Sequence, residues 1–256
     1  MRAVALGRDA LVITSSIWQT NALALRSGEE AVLIDSPYFP DELEMLPQLL
    51  EQAGFAPSGL LTTHADFDHL LGRTAYPGLT LGVGEPTALR LRAQPGAAQR
   101  ELRDADAEHY VVRAAPLALG QTQMLPVPGL VELGEEEIEM HPAEGHTADG
   151  TAFVGRFADV LACGDYLSDV EIPMLSPGGS LDEYRATLAR LAPLVEAVET
   201  VVPGHGALHD SETALRILDE DVDYLDALER GQAALPKGRG SARQRQIHEA
   251  NARALT

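Results

Sequence analysis

Only one cysteine, Cys163, occurs in the 256 residues, so no disulfide can form within the chain. Any core must hold without a covalent staple, and a lone thiol fits a reducing compartment. Aromatic residues are also few, at 5%. No run of about 18 apolar residues occurs, which excludes a membrane-spanning helix. Basic residues are scarce: 19 lysines and arginines stand against 39 aspartates and glutamates, a formal net charge of −20. Such a field repels phosphate backbones, so nucleic acid is not an expected partner. The one basic concentration is the tail, residues 237–256, with Lys237, Arg239, Arg243, Arg245 and Arg253 against Glu249. It reads as a solvated helix face. The opening segment MRAVALGRDALVITSS has neither a sustained apolar stretch nor a small-residue cleavage site, so it does not read as a secretory signal. A cytoplasmic location is the resulting expectation.

Hydrophobic residues make up 45% and charged residues 23%, ordinary proportions for a globular chain. Residues 1–236 read as a single domain, and 237–256 as a helical tail packed on it. Short apolar runs at 10–14, 21–25, 31–34 and 59–62 read as strands. Between the last two, Leu43, Leu46, Leu49 and Leu50 recur at helical spacing over 41–53, with Gly54 as the stop. A strand at 79–83, a helix at 85–93 opened by Pro86 and a helix at 99–107 follow. Residues 111–160 carry prolines and glycines that favour short strands and hairpins. The five glutamates between 132 and 139 read as an exposed hairpin. Leu181 opens a helix to 191, with Ser180 as N-cap and Glu183 completing a capping box. A strand at 198–202, a helix at 211–232 and a hinge at 236–240 complete the order.

The densest polar cluster is Thr63-His64-Ala65-Asp66-Phe67-Asp68-His69. A short loop places residues 64, 66 and 68 on one side and His69 elsewhere, which suits two adjacent cations better than one. Zinc, iron and manganese all accept mixed nitrogen and oxygen ligands. Three further islands end on a turn or strand: Glu144-Gly145-His146-Thr147, Cys163-Gly164-Asp165 and Pro203-Gly204-His205-Gly206. Glycine beside each lets the backbone approach a crowded site.

The ordered set His64-x-Asp66-x-Asp68-His69, His146, Asp165 and His205 resembles the ligand set of the metallo-β-lactamase fold superfamily. Asn21, its apolar strand and the run ending at Asp35 resemble that family's first hairpin, and the resemblance spans about residues 10–230. It implies a four-layer αβ/βα sandwich, two mixed sheets face to face with helices outside. It also implies two divalent metal ions, with zinc first and iron or manganese as alternatives. His64, Asp66 and His146 would serve one metal and Asp68, His69 and His205 the other, with Asp165 bridging. Asp165 and Asp68 are the implied catalytic residues, Asp165 neutralising charge and Asp68 orienting the attacking water. The implied reaction is hydrolysis of a small ester, thioester, lactone or phosphoester by a metal-activated hydroxide. A small molecule is therefore the expected substrate, and a homodimer the expected assembly.

The family places a histidine where this chain has Asp66. Carboxylate is the harder ligand, which raises the standing of iron or manganese. It also adds negative charge, which weakens the metal as a Lewis acid. Two other readings follow: an iron-dependent redox enzyme, since flavodiiron proteins carry a glutamate there and sulfur dioxygenases share the fold, or an inactive metal-binding scaffold. Thr63, Thr147 and Asp35 are candidates to orient the imidazoles. His141 reads as a structural strand-end residue, His109 as partly packed, and His209 and His248 as solvated helix residues. Cys163 reads as a buried inert thiol and Tyr166 as packed. Trp18, Tyr38 and Phe39 read as loop residues at the rim of the cleft.

Overall fold

The computed structural model describes residues 1–255. Alternation of side chains decides its layers. In the strands β1 (Arg2–Leu6), β2 (Ala10–Thr14), β3 (Asn21–Ser27) and β4 (Glu30–Ile34), neighbouring side chains face opposite ways. Val12, Leu23, Leu25, Val32 and Ile34 enter one apolar layer, while Leu11, Ile13, Ala22, Ala24 and Leu33 enter another. After β4 come α1 (Pro40–Gln52), β5 (Pro57–Thr62), α2 (Gly72–Ala75), β6 (Leu81–Gly84), α3 (Glu85–Ala93), α4 (Ala97–Glu108) and β7 (Thr122–Leu125). These strands form one seven-stranded sheet in sequence order. It is antiparallel from β1 to β4 and parallel from β4 to β7.

The second sheet contains β8 (Gly129–Leu133), β9 (Glu136–Pro142), β10 (Thr151–Gly155), β11 (Val160–Ala162) and β12 (Thr200–Val202). Its order is β12-β11-β10-β9-β8, and only β11 and β12 run parallel. The helices α5 (Leu181–Val195), α6 (Ser211–Glu229) and α7 (Ala242–Ala254) complete the described elements. One apolar layer joins Leu25, Ile34 and Leu61 of the first sheet to Ile138, Phe153 and Val202 of the second. A second layer packs α1 and α4 on the outer face of the first sheet, through Leu43, Leu46, Leu50 and Leu102. A third packs α5, α6 and α7 on the outer face of the second, through Leu188, Leu191, Leu225 and Ile247. The result is the expected αβ/βα sandwich of two mixed sheets with helices outside. Among the described residues, no helix is long and apolar enough to cross a membrane.

Several local expectations change. The edge strand β1 was not expected from sequence. Residues 111–121 form no strand, so β structure resumes only at β7. The helix expected to reach 232 ends at Glu229, because Gly231 takes a left-handed conformation (φ +66°) just past it. His209 is not on a helix and is not solvated: it is buried, bridged to Val201 through both backbone bonds. His248 is a half-buried residue of α7, bonded to the Tyr224 hydroxyl at 3.0 Å. The basic tail is not uniformly solvated either, since Arg239 lies just before α7 with only 2% exposure and pairs with buried Asp221.

Candidate metal centre

The site forms where strands of both sheets end. β5 delivers Thr63 and His64, β11 delivers Asp165, and β12 delivers His205, while His146 stands between β9 and β10. Close backbone contacts lock these ends together. Thr151 N–H donates to the Thr63 carbonyl at 2.8 Å, Gly204 N–H to Gly164 at 2.6 Å, and Asn21 N–H to Gly204 at 2.7 Å. The Asn21 side chain adds donations to the Pro203 and Gly206 carbonyls at 2.9 and 3.1 Å. Position 204 requires glycine, because a Cβ there would overlap Asp165 Oδ1 and press on the His69 ring.

All seven residues singled out in the sequence converge here, as two triads. In one, His64 Nε2 and His146 Nε2 lie 3.7 and 3.5 Å from Asp66 Oδ2. In the other, His205 Nε2 and His69 Nε2 lie 3.4 and 4.0 Å from Asp68 Oδ2. Asp165 stands between them with one oxygen toward each. Its Oδ2 is 3.7 and 3.4 Å from His64 and His146, and its Oδ1 is 3.1 and 3.5 Å from His69 and His205. The expected grouping of 64, 66 and 68 on one side needs correction. A 3₁₀ turn at Phe67–His69 ends the extended alternation and turns Asp68 toward the second triad with His69.

These distances fit cations. Tetrahedral ligands about 2.1 Å from a metal lie about 3.4 Å from one another. The Nε2 atoms of His64, His69 and His146 and the Oδ1 of Asp165 are buried without a hydrogen-bond partner. Each imidazole also engages an oxygen through its other nitrogen. His69 Nδ1 meets Asp35 at 3.0 Å, His64 Nδ1 meets the Thr63 hydroxyl at 3.0 Å, and His146 Nδ1 meets the Met174 carbonyl at 2.9 Å. His205 Nδ1 approaches the Trp18 carbonyl at 3.3 Å. A carbonyl or carboxylate partner requires Nδ1 to carry the proton, so Nε2 presents its lone pair to the site.

The electrostatics are those of a buried, mutually charged set. Burial alone would lower His146, but Asp66 and Asp165 outweigh it and raise the imidazole to about 9. Burial alone would raise the Asp66 and Asp165 carboxyls, yet neighbouring imidazoles hold both well below the usual range. A cation entering the site replaces protons on these nitrogens.

Asp35 accepts from Thr63 N–H and the Thr63 hydroxyl, both at 2.8 Å, as well as contacting His69. Thr147 does not touch an imidazole. Its hydroxyl donates to Asp149 instead. Tyr166 is buried, and its hydroxyl donates to the Glu144 carbonyl at 2.8 Å, with the Ala143 carbonyl also at 3.1 Å, while accepting from His146 N–H, which pins that loop. Cys163 is fully buried, and burial pushes its thiol far up. His141 lies outside the site, paired with Glu139, and His109 packs edge-on against Trp18. Tyr38 is buried rather than at a rim, whereas Trp18 and Phe39 are half-buried.

Four neighbours were missed by the sequence reading. Arg90 donates at 2.7 Å to both Asp66 Oδ1 and Asp149 Oδ1. Asp149 also accepts from Ala65 N–H at 2.9 Å. Glu171 brings a carboxylate oxygen within 4.8 Å of ligand atoms of Asp165 and His205. Met174 contributes only its carbonyl. No spacing rule marks these positions, although an uncompensated aspartate in the motif was a reason to look for a cation.

Comparisons with known proteins agree with this architecture. A structure of a metallo-beta-lactamase from Pontibacter korlensis is similar over 85% of this chain and 97% of its own, with TM-score 0.63 and 19% identity. A metallo-beta-lactamase family protein from Thermus thermophilus gives TM-score 0.67 and 18% identity over 88% of this chain and 82% of its own. TTHA1623 in a di-iron-bound form gives TM-score 0.59 and 24% identity over 80% and 97%. No curated protein matches the chain. The family model described as the metallo-beta-lactamase superfamily matches residues 16–205, which include all seven convergent residues. The chain belongs to the metallo-beta-lactamase superfamily.

Proposed function

We propose that this protein is a metal-dependent hydrolase of a small ester, thioester, lactone or phosphoester, working with two divalent cations. The observation that carries the reading is Asp165, whose two oxygens face two separate His/Asp triads, one oxygen to each. His64, Asp66 and His146 would hold one ion, and Asp68, His69 and His205 the other. When bound, such ions supply Lewis acidity and a water acidic enough to act as a nucleophile near neutral pH. Asp165 spans the two positions and offsets their charge. Asp68, whose Oδ2 faces His205 and His69, would orient the attacking water. The Nδ1 contacts of the four histidines keep the imidazoles from rotating as charge develops.

The test is chelator-stripped protein reloaded with zinc or manganese and offered p-nitrophenyl acetate, an acyl thioester, a lactone and bis(p-nitrophenyl) phosphate. Turnover of at least one without an electron donor is expected. Asp68→Asn should lower kcat by about 10²–10⁴-fold. A second reading is favoured by the oxygen ligand Asp66: an iron enzyme of redox function. Iron in anaerobically purified protein, with no turnover of the panel under any metal, would replace the hydrolase with that reading.

A further inference from the structure

Asp66 stands where an uncharged imidazole is the family's usual ligand, and it does not stand alone. Its Oδ2 faces His64 and His146, while its Oδ1 accepts from Arg90 Nη2 at 2.7 Å. The Arg90 side chain is 12% exposed and reaches across from α3. Its Nη1 donates to Asp149, whose side chain is fully buried. Asp149 in turn accepts from Ala65 N–H and the Thr147 hydroxyl. Ala65 lies between His64 and Asp66, and Thr147 follows His146, so Arg90 and Asp149 join both chain segments that carry the first triad.

We propose that Arg90 is the positioning residue that fits Asp66 to the first metal position, holding one carboxylate oxygen and leaving the other to serve as a single-atom donor. This rests on the reading that His64, Asp66 and His146 hold a cation. A free aspartate has two equivalent oxygens and can rotate to offer both. Fixing one in a guanidinium removes that freedom and draws off charge. Arg90 shares its single positive charge between Asp66 and Asp149, so Asp66 presents a donor less charged than a free carboxylate. The extra negative charge expected of Asp66 is thereby offset in part.

The experiment is competitive zinc titration of metal-free protein, with cobalt(II) absorption reporting the ligand set of each position. R90Q should weaken zinc binding at one of the two positions by about 10–100-fold and leave the other unchanged. R90K, which keeps the charge but cannot span both carboxylates, should fall between R90Q and the parent. In a D66H background, R90Q should cost far less, because an imidazole has no second oxygen for the guanidinium to hold. Equal losses in the two backgrounds would mean that Arg90 acts only by bracing Asp149, and would overturn the proposal. So would unchanged affinity in R90Q. Should R90Q fail to fold by circular dichroism, R90K against the parent decides, with parent-like affinity and cobalt spectrum counting against. A parent that takes up no zinc or cobalt overturns the metal reading itself, and this proposal with it. A parent that binds two ions beside an indifferent R90Q removes only the role of Arg90.

Discussion

Glu42 lies in the first turn of α1, yet its carboxylate is bonded to chain far ahead of it. It accepts from the Ser15 hydroxyl at 2.6 Å, from Ser16 N–H at 2.8 Å and from Phe39 N–H at 3.2 Å. Burial alone would raise its pKa, but these donors outweigh burial and lower it. A depressed folded-state pKa stabilises the fold above the ordinary carboxylate range, and the gain is lost as pH falls through the folded value. Glu42→Gln should therefore cost about 1–3 kcal/mol at pH 7. The gap to the parent should shrink in strong acid, where the parent's own carboxyl is protonated. Urea unfolding at pH 7 and below pH 4 checks this, and an equal gap at both pH values would contradict it. The seven convergent residues were legible in the sequence because each sits beside a glycine or in one dense motif. Arg90 and Asp149 were not. An ion pair between residues 59 positions apart leaves no local period, and arginine on a helix resembles any solvated arginine.

At the scale of elements, patterning worked where burial alternates and ends are capped. Ser180 accepts from Glu183 N–H as the expected N-cap, although its own N–H goes to the Gly145 carbonyl and so leaves the capping box half made, and β2, β3 and β4 coincide closely with their apolar runs. Patterning failed where polar letters are internal. His209 was read as solvated because an isolated bridge to Val201 has no periodic signature. Arg239 was read with its basic neighbours because sequence does not show which arginine turns inward. Its guanidinium donates to the Glu171 carbonyl at 3.0 Å and pairs with Asp221. From α7, Gln244 accepts from Ile172 N–H at 2.8 Å, and Asn251 accepts from Leu175 N–H at 2.9 Å. The C-terminal segment thus holds the loop whose Met174 carbonyl orients His146. Arg239→Met should destabilise the fold by about 3–5 kcal/mol, since it strands the buried Asp221. It should also raise amide exchange in the loop at residues 168–175. A variant with unchanged melting and unchanged exchange there would show that α7 does not support the site.

Over the whole molecule, the site joins two halves that the chain builds separately. Residues 64–69 follow strands of the first sheet, whereas His146, Asp165 and His205 belong to the second. Cations held between them would bind the folded chain and not the unfolded one, and so would add stability by mass action. The metal-free site instead crowds three carboxylates against imidazoles, within a chain of net charge −20. Free zinc at about 100 times its dissociation constant contributes about 2.7 kcal/mol per position. At about 2–4 °C per kcal/mol for a chain of this size, one position accounts for a Tm shift of roughly 5–10 °C. Stripping with a chelator should therefore lower Tm by at least that much, and zinc should restore it. Asp165→Asn removes the carboxylate that faces both triads, so its melting should respond far less to either treatment. Calorimetric scans of parent and variant, with and without chelator, separate the cases. If the parent's scans coincide, the two halves are held together by the apolar layer between the sheets alone, and the convergent residues do not act as a metal-held junction.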